Sequence, residues 1–195
     1  FPAVNYVGDP TMIVYLDTNG GVKGSVVTKT PSGNITNMNI YANRIITRHQ
    51  DVAALTIADM VKYDYDDDSD ISYQAATSST DTLVLLPNTE LFVFATSTFA
   101  PGGNITLTGN GNSNNYEGTL QLGAAATFTA SGTQTHTLAG RFVMATTSTF
   151  TAASSTFIFN ATTTGKSITS PNTVTFNQIQ FDGNGGGWNI TAPLT

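Results

Sequence analysis

The phrase Ala95-Thr-Ser-Thr-Phe99 returns as Ala124-Ala-Ala-Thr-Phe128, as Ala145-Thr-Thr-Ser-Thr-Phe150 and as Ala153-Ser-Ser-Thr-Phe157, with Thr173-Val-Thr-Phe176 as a looser copy. The phenylalanines lie 29, 22, 7 and 19 residues apart. A unit this short cannot enclose a core of its own, so successive copies must stack and share one. A second phrase behaves alike. Pro31-Ser-Gly-Asn-Ile-Thr36 parallels Pro101-Gly-Gly-Asn-Ile-Thr106, and Asn-Ile-Thr recurs at Asn189.

The units read as strands. Threonine packs well on a pleated surface, whereas Gly and Asn tolerate the backbone of turns. Leu83-Val-Leu-Leu86 and Glu90-Leu-Phe-Val-Phe94 flank the turn signal Pro87-Asn-Thr89. Thr156-Phe-Ile-Phe159 and Asn39-Ile-Tyr-Ala-Asn-Arg-Ile-Ile-Thr47 are further strand candidates. Thr173–Phe181 alternates with a slip at Asn177-Gln178, the mark of a bulge or a corner. A short helix is hinted at only within Asp51–Lys62. The chain is therefore expected to be all-β. A parallel β-solenoid with turns of roughly 20–25 residues fits best. An antiparallel β-sandwich or jelly roll is the alternative.

Charge divides the chain. Eight of its 13 acidic residues lie between Asp51 and Asp81, and from 82 to 195 only Glu90, Glu117, Arg141, Lys166 and Asp182 are charged. Residues 1–80 thus read as a β-rich segment ending in an acidic loop, and 81–195 as a continuous Thr/Phe-repeat region. The net charge of −6 disfavours nucleic acid and anionic membrane, where Lys and Arg must neutralise phosphate. No apolar run approaches the roughly 20 residues of a spanning helix. Cysteine is absent, which removes disulfides and thiolate metal sites. Phe1-Pro-Ala-Val, with no initiator Met, is expected of a processed form or a piece of a longer chain.

The densest charge is Lys62-Tyr-Asp-Tyr-Asp-Asp-Asp-Ser-Asp-Ile-Ser72. Asp64, Asp66, Asp67, Asp68 and Asp70 repel one another unless neutralised. Several hard oxygens close in sequence suit Ca²⁺, with the carbonyl of Ile71 or Asp81 completing the shell. An EF-hand is excluded, because Ser69 stands at the glycine position and Ala75 at the bidentate glutamate. The competing reading is a solvated acidic loop.

Other motifs carry less. Gly165-Lys-Ser167 resembles the end of a phosphate-binding loop, but its first glycine would fall on Asn160 and Pro171 forbids a long helix after it. His49-Gln-Asp51 juxtaposes imidazole and carboxylate without a nucleophile signature. His136 reads as a strand residue. Sequons stand at Asn34, Asn104, Asn160 and Asn189.

The strings DTLVLLPNTELFVFATSTFAPGGNITLTGNG, TQTHTLAG, STFTAASSTFIFNATTTGKSI and TFNQIQFDGNGGGWNITAPLT resemble very long Thr/Ser/Asn-rich repeat proteins predicted on the surface of uncultivated bacteria. Those proteins are broadly similar to filamentous haemagglutinins and autotransporter passenger regions. The resemblance is strongest over 81–195. It implies an extracellular β-solenoid with a structural or adhesive role, and it transfers no catalytic motif. The expected function is therefore a non-enzymatic component of a filament, sheath or stalk, a homo-oligomer or polymer joined through strand edges. Phe1–Val7 is a candidate exchanged strand. An adhesin binding glycans through Tyr63, Tyr65 and Tyr73 is one alternative. A Ca²⁺-dependent polysaccharide lyase using Asp66, Asp68 and Asp70 with Arg44, Arg48 or Lys62 is another.

Overall fold

The computed structural model describes residues 11–16, 18, 20–30, 35–36, 38–50 and 53–195. The candidate exchanged strand at 1–7, the first sequon at Asn34 and Asp51 lie outside them.

β1 (Thr11–Leu16) and β2 (Gly24–Lys29) form an antiparallel pair, and β3 (Arg44–His49) stacks parallel on β2. A single helical turn, α1 (Ile57–Met60), follows. Thr56 caps it, its hydroxyl accepting from the Asp59 N–H while the Asp59 carboxylate accepts from the Thr56 N–H. Lys29 pairs with that carboxylate at 3.0 Å and ties the turn to β2. β4 (Tyr73–Ala76) then pairs antiparallel with β5 (Thr82–Leu85).

Three regular turns come next. They comprise β6 (Glu90–Val93), β7 (Thr98–Phe99) and β8 (Asn104–Leu107), then β9 (Leu120–Leu122), β10 (Thr127–Thr129) and β11 (Thr135–Leu138), then β12 (Phe142–Met144), β13 (Thr149–Thr151) and β14 (Thr156–Phe159). β15 (Lys166–Thr169), β16 (Gln178–Phe181) and β17 (Trp188–Ile190) complete the chain. The strands fall into sheets of eight, three and six, and from β2 onward every pairing but β4 with β5 is parallel. The molecule is a β-solenoid of about seven turns. A sandwich or jelly roll is excluded by that parallel pairing, because those folds are built from antiparallel strands.

The repeated phrase is a corner followed by a strand. In Phe94–Ser97, Gly123–Ala126, Ala145–Ser148 and Ala152–Ser155 the last N–H donates to the first carbonyl at 3.0–3.1 Å. Each turn delivers its Thr-Phe with Phe inward and Thr outward. Phe99, Phe128 and Phe150 stand in register, so the intervals of 29 and 22 are true turn lengths. The interval of 7 is something else: Phe157 lies on the next face of the same turn, in the six-stranded sheet. The slip at Asn177-Gln178 is the corner between Val174, which bridges Leu194, and β16.

The core is a set of ladders along the axis. Ile45, Leu91, Leu120, Phe142 and Ile168 line the eight-stranded sheet, all at most 2 % exposed. Phe150, Phe157 and Phe176 meet at centroid distances of 5.1–5.2 Å. Each such ring contributes roughly 1.5–3 kcal/mol by leaving water.

Candidate functional site

The acidic loop is folded on itself. Asp64 is 7 % exposed, and its Oδ1 accepts from the N–H groups of Asp66 and Asp67, both at 3.2 Å. Asp68 Oδ1 accepts from the Asp70 N–H at 3.0 Å, and Asp66 Oδ1 from Gln74 Nε2 at 3.0 Å. Lys23 donates to the Ser69 carbonyl and sits 5.1 Å over the Tyr65 ring, not on a carboxylate. Among the described residues no three carboxylates or imidazoles converge as a metal shell.

The tyrosines beside this loop divide. Tyr73 is fully buried and its hydroxyl donates to the Met60 carbonyl, so it offers no stacking face. Burial, with Asp64 and Tyr63 nearby, holds its phenol far above the usual range. Tyr63 is partly buried and donates to the Thr11 carbonyl at 3.1 Å. Of the three, only Tyr65 keeps an exposed ring.

The remaining motifs have structural partners. His49 Nε2 accepts the Thr98 N–H at 2.8 Å. Gly165-Lys-Ser167 opens strand β15, where a phosphate loop would need a helix. Arg44 is engaged by Glu90, and Arg48 donates to the Thr36 carbonyl at 2.8 Å. Burial lowers the Arg48 guanidinium below its ordinary range. Lys62 is exposed. Asn104 Oδ1 accepts from the Thr135 N–H, whereas Asn160 and Asn189 are exposed.

Glu117, which no motif flags, and Lys166, which the sequence offered only as part of a phosphate-loop resemblance, organise the longest corner. Residues 108–118 form an insertion between β8 and β9. Glu117, 1 % exposed, reaches back into it. Its Oε1 accepts from the N–H groups of Asn110, Gly111 and Asn112 at 2.8, 3.0 and 3.1 Å, and its Oε2 from Asn112 at 3.1 Å. Lys166, equally buried, donates to the Asn112 carbonyl at 2.8 Å from two turns further on. Burial lowers its ammonium below the ordinary lysine range, although Glu117 acts against that shift. A Cβ on Gly140 would lie 1.9 Å from the Glu117 carbonyl, so the next turn packs directly on this corner.

Beside that corner, the outer face of the eight-stranded sheet carries a cleft of about 550 Å³ lined by Tyr41, Arg44, Glu90, Tyr116, Gln121 and Arg141 among others. Its wall residues come from β3, β6, β9 and the corners before β9 and β12. The Arg44 guanidinium lies between the rings of Phe92 and Tyr41, at 4.7 and 5.2 Å, and pairs with Glu90. Burial raises the Glu90 carboxyl above the usual range, and Arg44 opposes the shift. Tyr41 is 51 % exposed. Arg141 has no carboxylate partner among the described residues; its Nη2 reaches the Gly165 carbonyl only at 3.5 Å, and its buried Nε has no acceptor.

Compared with protein-family models, curated proteins and solved structures, the chain matches none. Chemically, Glu117 is committed to backbone donors and Glu90 to Arg44. The cleft is a place for holding a polar molecule, with aromatic rings, an amide and guanidinium groups.

Proposed function

We propose that this chain is a structural part of an extracellular surface assembly, joined to further copies through its strand edges. The observation that carries this reading is the parallel stacking itself, in which each turn presents the next with the same strand edges and the same apolar ladder. Among the described residues no strand pairs with the outer edges of β16 and β17. Within the described residues the core ladders end at this edge. Ile168 is 0 % exposed and its ladder successor Ile190 is 44 %; Phe159 is 0 % exposed and its successor Phe181 is 47 %. Trp188 stands between them, 5.3 Å from Phe181. An open parallel edge with apolar rings beside it is a template for another β-rung. A second copy supplies one, and burying the exposed half of Phe181 and of Ile190 would contribute roughly 0.7–1.5 kcal/mol each. No helix among the described residues is long and apolar enough to cross a membrane.

Sedimentation velocity and electron microscopy over a concentration series test this. The wild type is expected to form end-linked oligomers. Ile190→Pro, which removes an N–H that faces outward from β17 while Asn189 and Thr191 hold the bonds to β15, and Ile190→Lys are expected to leave monomers with an unchanged β-rich circular dichroism spectrum. A wild type that stays monomeric at every concentration would overturn the reading.

A further inference from the structure

The cleft on the eight-stranded sheet is not used by the stacking interface. It runs across the strands, from β3 to the corner before β12, and so along the solenoid axis. Strands are spaced about 4.8 Å apart, so four consecutive turns give it a length of about 14 Å. Its chemistry is uneven. In a chain of net charge −6, Arg44 and Arg141 face it against the single carboxylate of Glu90. Arg44 and Glu90 form an ion pair with one another. Arg141 is left without a carboxylate partner among the described residues, and its Nη2 reaches a protein acceptor only at 3.5 Å. A guanidinium fork matches a carboxylate with two parallel hydrogen bonds. Tyr41 and Tyr116 add flat apolar faces with polar rims beside it. Gln121 supplies an amide that can both donate and accept. Flat ring, amide and fork in one long open groove fit a linear molecule with alternating apolar faces and hydroxyls that also bears carboxylates.

We propose that this cleft binds a linear acidic polysaccharide, with pyranose faces on Tyr41 and Tyr116 and a uronate carboxylate on Arg141. Calcium is not required, because the cleft's cations are its own. The site stands on one copy of the chain, so it is independent of the stacking interface.

Isothermal titration of the full chain tests it with three probes of equal length: oligogalacturonate, the same oligomer methyl-esterified, and a sulfated oligosaccharide. The acidic uronate is expected to bind, at least tenfold more tightly than the ester, and more weakly as salt rises. Arg141→Ala and Tyr41→Ala are each expected to weaken binding at least tenfold, with melting temperature as the control for folding. Should Arg141→Ala fail to fold, Tyr41→Ala and Gln121→Ala decide the matter, since both side chains reach solvent. No binding, equal binding of acid and ester, preference for the sulfated probe, or binding indifferent to the substitutions would each overturn the proposal.

Discussion

The rings of His136 and Phe157 lie 4.7 Å apart as neighbours in one parallel ladder, and neither imidazole nitrogen has a hydrogen-bond partner. Phe128 closes the other side at 5.7 Å. Burial therefore lowers the folded imidazole to about 4 from its ordinary 6.5. Between those values the unfolded chain binds a proton that the folded chain refuses. Stability is accordingly intact above pH 6.5 and falls as pH drops toward 4, by up to about 3 kcal/mol. Glu90 works in the opposite sense, because its folded carboxyl is raised. The comparison must thus be between wild type and His136→Leu at each pH. Urea unfolding from pH 7.5 to 4.5 is expected to show the wild type losing about 2–3 kcal/mol more than the variant. Parallel pH profiles would refute it.

Glu117, itself buried, accepts from the N–H groups of the exposed residues Asn110, Gly111 and Asn112. Glu117→Ala removes these charge-assisted bonds and the carboxylate that opposes the shift of the buried Lys166 ammonium, and a cost of about 2–3 kcal/mol is expected. Lys166→Met keeps the length and removes the charge, at a cost near 1–2 kcal/mol. The double variant should cost less than the two single losses added, because the groups share one corner. Denaturant midpoints for the three proteins check this.

Ala125 occupies the left-handed region at φ 54° in the Gly123–Ala126 corner. A side chain there costs about 1–2 kcal/mol. Ala125→Gly should therefore raise stability by about 0.5–1 kcal/mol after the glycine's own entropy loss. Ala124→Gly, one position earlier and without that φ, should lower it. Thermal melts of the pair decide the sign.

The carboxylates of residues 64–70 have no ion pair among the described residues. Their mutual repulsion favours a divalent cation, reached by rotating Asp66, Asp68 and Asp70 together. Millimolar Ca²⁺ is expected to raise the melting temperature by several degrees, EDTA to reverse it, and Asp68→Asn with Asp70→Asn to abolish the response. A melting temperature indifferent to Ca²⁺ would leave the loop as a turn held by the hydrogen bonds of Asp64, Asp66 and Asp68.

The stacked architecture was legible in the sequence because Phe99, Phe128 and Phe150 occupy equivalent corners. A side chain that must meet its own copy imposes its spacing on the chain. Phe157 obscured the pattern, since the same corner chemistry also serves the next face. Pro87-Asn-Thr89 was legible as a turn, yet β5 and β6 enter different sheets, because a corner and a hairpin use the same residues. Glu117 belongs to no motif, and Lys166 stood out only as part of a phosphate-loop resemblance, since the partner that explains it lies 54 positions away. Their signal was rarity: in a stretch with five charges, each buried charge has a specific partner to find. Arg141 is the informative exception. Tyr73 misled because three tyrosines near carboxylates read alike in one dimension, and only packing separates the buried from the exposed.

The parallel ladders also determine how the molecule answers force. Their hydrogen bonds run along the solenoid axis, so tension applied from end to end loads one rung boundary at a time. Failure would advance by peeling, rung by rung, from the end at which the force acts. Each released turn of 22 residues, the spacing of Thr127 and Thr149, adds up to about 75 Å of extended chain. A tether of this kind lengthens in steps and leaves the remaining turns folded.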